Sequence, residues 1–286
     1  MLYSLPQKYA VSITLSVSKF RLVLTERPTQ FTFPCFLKGL SQDDYPPEQD
    51  SNMFKIIKKH WSRLCRSLGR RWREWRLPKG YARLGTRYGG WWIDTRLISP
   101  DPLLIDCGLG EDISFPKAFS ERFGGHIIGV ECNPRSLRYC KANPISGMVI
   151  LPRAMWTSTG QSLTFHLPKR DDRVSGSLVD SHEYVTGGNI LSVETIDFPT
   201  LLHHAGRDEC DILKLDIEGA EYEILASLIE KKTLQMARQV LVEFHHGITH
   251  HLLEETQDMV ERLSVCGFRL VYIEGRNYIF RREQSR

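Results

Sequence analysis

The strongest constraint on the fold of this chain is a regular alternation of strand-like and helix-like segments between residues 81 and 286. Short apolar runs alternate there with amphipathic stretches of about ten residues or more. The predicted strands are 103–107, 126–131, 147–154, 162–166, 190–196, 212–216, 239–244, 269–273 and 278–281, and the predicted helices are 113–123, 134–142, 220–231 and 249–266. Strands separated by helices favour a parallel sheet. We therefore predict an α/β fold with a doubly wound sheet, mostly parallel with an antiparallel C-terminal pair.

The first 80 residues differ in character and divide into two segments. Residues 1–52 combine short β-prone pieces with a stretch rich in Asp and Pro at 41–51, and we interpret them as a disordered leader. Met53 follows this stretch directly and is an alternative candidate for the start of translation. Residues 53–80 form a second segment, a basic amphipathic helix, and residues 81–286 form the α/β domain.

The helix predicted over 54–76 has a single apolar stripe and a strongly basic remainder. Between Met53 and Arg83 there are eleven Lys or Arg residues and one acid, Glu74. Apolar residues recur along it at steps of three or four, at Phe54, Ile57, Trp61, Leu64, Leu68, Trp72 and Trp75. Two interpretations fit this pattern. The helix lies on an anionic membrane surface, or its stripe packs on the α/β domain while the basic face is solvated.

Composition indicates a globular protein of a reducing compartment. The 286 residues are 41% hydrophobic and 25% charged, which suits one full domain with an appendage. The seven cysteines are odd in number and form no C-x-x-C pair, which argues for free thiols. No run of eighteen apolar residues occurs. We predict a cytoplasmic protein, peripheral at the inner membrane surface where segment 54–76 binds lipid, with no specific nucleic-acid partner.

A glycine loop follows the first strand of the predicted sheet. Gly108 and Gly110 come just after Asp106, and glycines at this edge of a parallel sheet let the backbone approach a ligand closely. The third glycine of a dinucleotide loop is missing, and Glu111 and Asp112 stand where a pyrophosphate would meet the next helix. These acids repel a pyrophosphate and favour a cationic ligand. Complementing the dipole of that helix is their alternative role.

Acidic side chains also follow two other predicted strands. Glu131 lies about twenty residues past the loop, where a carboxylate can accept both hydrogen bonds of a ribose diol. Asp216 and Glu218 come at the end of an apolar strand, just before Gly219. Residues two apart in a strand point the same way. An adenosine that carries positive charge fits this set of acids best.

These residues resemble those of a known family. The run 211–222, Asp-Ile-Leu-Lys-Leu-Asp-Ile-Glu-Gly-Ala-Glu-Tyr, is similar to the hallmark of FkbM-type methyltransferases, and 89–91, 108–115 and 242–245 resemble one branch of that family. The resemblance extends from about Leu84 to Phe280. It implies a class I methyltransferase (Rossmann-like) fold, S-adenosylmethionine as the methyl donor, and O-methylation of a hydroxyl on a glycan or small metabolite. In that branch the loop often begins Ser-Phe-Gly, and the acid after the second strand is often Asp before Pro. In this chain the loop begins Asp106-Cys107-Gly108, and the acid after the second strand is Glu131 before Cys132, so a carboxylate is kept.

The resemblance also implies a division of roles among the strand-end residues. Asp216 and Glu218 resemble the acids beside the transferring methyl group. His245, at the end of the strand 239–244, is our first candidate for the base that takes the acceptor's proton. Asp216 or Glu218 is the alternative base, and a structural histidine is the alternative role of His245. The predicted donor-binding residues are Asp106, Gly108, Gly110, Glu131, Asn133 and Met155.

Three further interpretations are weighed against this one. A metal ion could bind among His245, His246, His250 and His251 with Glu243, but the spacing of these residues is not diagnostic. Mg²⁺ could bind Asp216 and Glu218, and we predict no metal at either position. A membrane- or nucleic-acid-associated binding protein with a vestigial methyltransferase fold would explain segment 54–76. It would not explain the acidic strand ends.

Overall fold

The computed structural model describes residues 10–16, 19–25, 79–169, 174–179 and 189–283. The chain divides into two compact units, residues 1–70 and 71–286. In the first unit, strand β1 (Ala10–Ser16) pairs with β2 (Lys19–Thr25) as an antiparallel hairpin within the predicted leader. The rest of the 1–52 leader and the predicted helix 54–76 lie outside the described residues. Both interpretations of that helix therefore stay predictions.

The second unit contains twelve described strands and five described α-helices. The strands are β3 (Tyr81–Leu84), β4 (Trp91–Asp94), β5 (Leu103–Cys107), β6 (His126–Val130), β7 (Met148–Leu151), β8 (Ala154–Met155), β9 (Ser162–His166), β10 (Ile190–Ile196), β11 (Cys210–Leu215), β12 (Ala237–Glu243), β13 (Phe268–Glu274) and β14 (Asn277–Arg282). The helices are α1 (Ser114–Phe123), α2 (Pro134–Ala142), α3 (Phe198–His204), α4 (Glu221–Glu230) and α5 (Leu253–Val265). Among the described residues, no helix combines the length and the apolar character needed to cross a membrane.

Seven strands form the central sheet in the order β13-β14-β12-β11-β5-β6-β7. Five of them, from β12 to β7, are parallel. Strand β14 is antiparallel to β12, and β13 is antiparallel to β14. The prediction of a class I methyltransferase fold, mostly parallel with an antiparallel C-terminal pair, is confirmed.

Both faces of this sheet are covered. All residues of β5 and β11 are buried, as expected for parallel strands that pack on two sides and therefore read as continuous apolar runs. On one face, Ile105 belongs to a core shared with helices α3, α4 and α5. On the other face, Leu104 packs in a cluster with Phe119 of α1 and Trp91 of β4. Successive residues of β5 thus serve opposite faces, and the sheet is doubly wound.

Some elements differ from the sequence prediction. The strand predicted over 147–154 is broken at Pro152, which has no N–H to donate to a ladder. Beyond this proline, β8 leaves the central sheet and pairs with β10 in a separate three-stranded sheet. The hairpin β3–β4 and helix α3 were not predicted. Helix α3 carries a recognisable start signal, because Asp197 accepts a hydrogen bond from the Thr200 N–H at 3.0 Å.

The loops after β5 and β11 touch each other at Gly108. The Gly108 N–H donates to the Val130 carbonyl at 3.0 Å, and the Asp216 N–H donates to the Cys107 carbonyl at 3.1 Å. Gly108 has a φ of +85°, and a Cβ at this position would overlap the carbonyl oxygen of Asp216. The close approach of the two loops therefore requires glycine.

We expect Gly108→Ala to lower the free energy of unfolding by roughly 2–4 kcal/mol, because strain and overlap with backbone act together. Gly206→Ala is the matched control, since Gly206 has a φ of +65° and open space around its Cα. It should cost about 1 kcal/mol, the strain alone. Urea unfolding measures both. Equal losses in the two variants would contradict the close loop contact.

Candidate active site

The predicted site residues converge at the carboxyl ends of the parallel strands. Strands β5, β6, β11 and β12 are neighbours in the sheet, so the residues that follow them share one edge. The glycine loop follows β5, Glu131 follows β6, Asp216 and Glu218 follow β11, and His245 follows β12. Sequence reasoning therefore placed these groups together correctly.

Lys214 of β11, which sequence reasoning missed, lies between the two loops. Its Nζ is 2.8 Å from an Asp106 carboxylate oxygen and 3.6 Å from one of Asp216. It also donates a hydrogen bond to the Gly108 carbonyl at 2.9 Å. Burial disfavours the charged lysine, but the carboxylates of Asp106 and Asp216 outweigh this and raise its pKa. Lys214 therefore stays cationic and joins the glycine loop to the acidic loop.

Asp106 lies beneath the glycine loop and is only 1% exposed. Burial raises the pKa of its carboxyl group, while the Lys214 ammonium acts in the opposite direction. The Asp106 carboxylate thus pairs with Lys214. It affects a ligand indirectly, through the glycine loop that Lys214 binds. Its predicted direct contact with the donor stays a prediction.

The Glu131 carboxylate lies beside the glycine loop, where it is predicted to bind the methyl donor. One carboxylate oxygen accepts the Gly110 N–H at 3.0 Å, and the other accepts the N–H groups of Cys132 at 2.8 Å and Asn133 at 2.7 Å. Burial raises the pKa of Glu131, while the backbone N–H groups lower it. A carboxylate has about four lone-pair positions, and three of them accept these backbone N–H groups, so about one remains for a ribose hydroxyl. This environment fits the adenosine of S-adenosylmethionine.

The two remaining predicted donor-binding residues have visible structural contacts. Asn133 caps α2, since its side-chain oxygen accepts the Arg135 N–H at 2.9 Å, and its amide donates to the Val174 carbonyl at 2.9 Å. Met155 is 3% exposed and belongs to the main core. Asn133 is adjacent to the Glu131 contacts, whereas Met155 lies in the small sheet at β8.

The acids that follow the glycine loop are held by protein groups. Glu111 forms a bidentate pair with Arg135 at 2.7 and 2.9 Å. Asp112 accepts the Ser114 N–H at the start of α1 and the Gly89 N–H in the β3–β4 turn, both at 3.1 Å. Desolvation raises the pKa of the Asp112 carboxyl group, but its hydrogen bonds outweigh this and lower the pKa. Of the two acids, Asp112 therefore shows the alternative role considered above, an interaction with the N-terminus of the next helix.

His245 is surrounded by carboxylates. It is 2% exposed, and its Nδ1 lies 2.8 Å from a carboxylate oxygen of Glu221. Its Nε2 lies 3.2 Å from Glu218 and 3.7 Å from Asp216. Burial alone would lower its pKa, but these acids, Glu221 foremost, raise it to about 10. His245 is therefore an imidazolium at neutral pH, with both ring nitrogens protonated.

Glu221, the first residue of α4, organises this cluster. Its carboxylate is fully buried and accepts the N–H groups of Ile217 and Gly219, both at 2.9 Å, as well as pairing with His245. One side chain therefore fixes both the acidic loop and the imidazole. Sequence reasoning quoted Glu221 only as part of the family-like run. The available sequence signal was spacing: Glu221 lies four residues after Ile217, within reach of the Ile217 N–H that it accepts.

Asp216 is the partly exposed acid of the site, at 28% of its side-chain surface. Burial raises its pKa, while Lys214 lowers it and Glu243 raises it further. Asp216, Glu243 and His245 each bring a possible metal-ligand atom within 4.8 Å of the others. The prediction that no metal binds at this position stays a prediction.

Comparison with known proteins identifies the family. The family described as "Methyltransferase FkbM domain" matches residues 106–270, more than half of the chain. The chain belongs to this family and is an S-adenosylmethionine-dependent methyltransferase. It is 25% identical over 165 residues to "2-O-methyltransferase NoeI" of Sinorhizobium fredii (strain NBRC 101917 / NGR234), covering 53% of this chain and 67% of that protein.

Two solved structures of fibrillarins are also similar to this chain. The Methanococcus jannaschii fibrillarin pre-rRNA processing protein gives a TM-score of 0.36 at 13% identity, covering 64% of this chain and 66% of that one, just under two thirds. The Aeropyrum pernix fibrillarin with natively bound S-adenosyl-L-methionine gives a TM-score of 0.37 at 14% identity, covering 66% and 68%.

We expect Glu221→Gln to lower the pKa of His245 by roughly 1–3 units, because a neutral amide removes the nearest negative charge. The imidazole C–H resonances in an NMR titration report this pKa, with His245→Asn identifying the signal. Glu230→Gln, an exposed change on the same helix, is the matched control and should leave the titration unchanged. An unaltered His245 pKa in Glu221→Gln would contradict the arrangement.

Proposed function

We propose that this methyltransferase transfers a methyl group to a hydroxyl of a glycan or small-metabolite acceptor. The observation that carries the proposal is the partly exposed carboxylate of Asp216, which lies between the glycine loop and the His245 imidazolium. Similarity to a protein named 2-O-methyltransferase supports oxygen as the methylated atom. The acceptor is accordingly sought among compounds with accessible hydroxyl groups.

The donor side of the site is formed by the glycine loop and Glu131. Glu131 would accept a hydrogen bond from a ribose hydroxyl of the donor, and the glycines at Gly108 and Gly110 would let the donor approach the backbone closely. When bound, S-adenosylmethionine supplies an electrophilic methyl group on a sulfonium ion. The carboxylates of Asp216 and Glu218 attract this cationic centre. The protein's contribution on this side is alignment for an in-line displacement.

We assign the role of proton acceptor to Asp216 rather than to His245. An imidazolium with both nitrogens protonated cannot accept a proton, so His245 does not act as the base in the form that Glu221 and Glu218 stabilise. Asp216 is partly exposed, and burial raises its pKa to about 7, so its carboxylate form, present above that pH, is strengthened as a base. It takes the hydroxyl proton as the acceptor oxygen forms its bond to the methyl carbon. His245 orients Asp216 and Glu218 as a positioning residue.

The charge around the acceptor position also restricts the substrate. Asp216, Glu218 and Glu243 are partly exposed carboxylates. In the ion pairs of this site, five carboxylates (Asp106, Asp216, Glu218, Glu221 and Glu243) contact three cationic side chains (Lys214, His245 and Arg276), so negative charge is in excess. A phosphate or carboxylate next to the methylated hydroxyl would be repelled. We infer an acceptor that is neutral or cationic close to the reacting oxygen.

We expect Asp216→Asn to reduce kcat by about 10²–10⁴-fold, the usual contribution of a general base. The assay measures the S-adenosylhomocysteine that forms from S-adenosylmethionine when a panel of acceptors is offered. The panel contains monosaccharides, oligosaccharides and phenolic or aliphatic alcohols. The wild-type rate should fall as pH decreases through the raised pKa of Asp216, because the protonated carboxyl group cannot accept a proton. A limb near pH 10, the pKa of His245, would instead identify the histidine as the base.

Donor binding separates the roles of the two acids. Calorimetry with S-adenosylhomocysteine should show near-normal affinity for Asp216→Asn and at least tenfold weaker affinity for Glu131→Gln, in which an NH2 donor replaces one acceptor oxygen and the negative charge is lost. Wild-type affinity in Glu131→Gln would refute the donor position. Methylation of none of the hydroxyl compounds by the wild-type protein would refute the acceptor class.

A further inference from the structure

A second cluster of metal-type ligands lies beside the acidic site. It consists of Glu223, His250 and His251, and one ligand atom of each lies within 4.8 Å of the others. Glu223 is in the first turn of α4, whereas the two histidines precede α5. The cluster therefore joins two helices that are separate in sequence. Imidazole nitrogen and carboxylate oxygen are both ligands of zinc in proteins.

The buried atoms of this cluster lack ordinary hydrogen-bond partners. His251 is 5% exposed, yet neither of its ring nitrogens makes a hydrogen bond within the described part of the chain. Its Nε2 is 3.8 Å from a Glu223 oxygen. The second oxygen of Glu223 is also buried and without a hydrogen bond to any described residue. Buried polar atoms without a hydrogen bond destabilise a fold, and three together indicate a ligand-binding position.

The surroundings of His251 also suit a metal-binding imidazole. Its ring stacks on Tyr222 with centroids 3.8 Å apart, which fixes the ring plane. Its Nδ1 faces a Glu255 oxygen at 3.5 Å, while Nε2 faces Glu223. The Glu255 carboxylate is itself held, since it accepts the Leu252 N–H at 2.6 Å. A metal-bound histidine commonly directs its second nitrogen at a carboxylate in this way.

We propose that Glu223, His250 and His251 form a zinc-binding site that ties α4 to the segment preceding α5. Zinc–ligand bonds of about 2.0–2.2 Å place tetrahedral ligand atoms roughly 3.4 Å apart. The cluster reaches this spacing when the side chains of the exposed His250 and the partly exposed Glu223 move by about an ångström. His251 stays in place, Glu255 keeps facing its second ring nitrogen, and water completes the coordination. The site stabilises the fold and is independent of the methyl acceptor.

Zinc binding to the metal-free, full-length protein tests this proposal. Zinc chloride is titrated in competition with a chelating dye, and the melting temperature is measured with and without the metal. We expect wild-type protein to bind one zinc ion that is lost, or weakened at least tenfold, in His250→Ala and in Glu223→Gln. The zinc-induced rise in melting temperature should disappear in both variants. His204→Ala, which removes an exposed histidine of α3, is the matched control and should bind as wild type does.

Two results would overturn the proposal. One is equal zinc affinity in wild type, His250→Ala and Glu223→Gln, which would leave Glu223 and His251 as an ordinary charged pair. The other is loss of zinc binding in Glu243→Gln with retention in His250→Ala, which would place the metal at the cluster of Asp216, Glu243 and His245. Both substituted positions of the proposed site are at least partly exposed, so circular dichroism should show native folding in each variant.

Discussion

The buried ammonium of Lys214 is the interaction on which the arrangement of the site depends. It pairs with Asp106 and Asp216 and binds the carbonyl of Gly108, so one cation joins the ends of two adjacent strands. A buried lysine is stable only when such partners compensate its desolvation. In return, the glycine loop and the acidic loop are held in contact at a spacing that only glycine allows. The proposed donor-binding and proton-accepting groups are consequently connected through Lys214.

A second buried charge sets the chemistry of this unit. Glu221 fixes the acidic loop through two backbone N–H groups and keeps His245 protonated. The histidine then orients the carboxylates rather than competing with them for the substrate proton. This leaves Asp216, partly exposed and next to Lys214, as the group able to accept that proton. In the proposed mechanism, charge pairing therefore determines which of two adjacent titratable groups is the base.

The strands and their chemically important ends were predictable for a physical reason. Parallel strands buried on both faces give apolar runs, and the residues at their carboxyl ends, such as Gly108, Glu131 and Asp216, share one sheet edge. The protonation of His245 was not predictable, because it depends on Glu221, which is far away in sequence. Lys214 within an apolar strand was a signal for a buried ion pair that sequence reasoning did not use. Pro152 explains why β8 leaves the central sheet. Predicting its new partner would have required the position of β10.

The central claim is that one sheet edge holds the donor against Glu131 and directs its sulfur toward Asp216. A crystal structure of the protein with S-adenosylhomocysteine tests this most directly. We predict a ribose hydroxyl hydrogen-bonded to Glu131 and the sulfur atom on the side of Asp216 and Glu218. A nucleoside bound away from the glycine loop, or a sulfur atom directed away from Asp216, would contradict it.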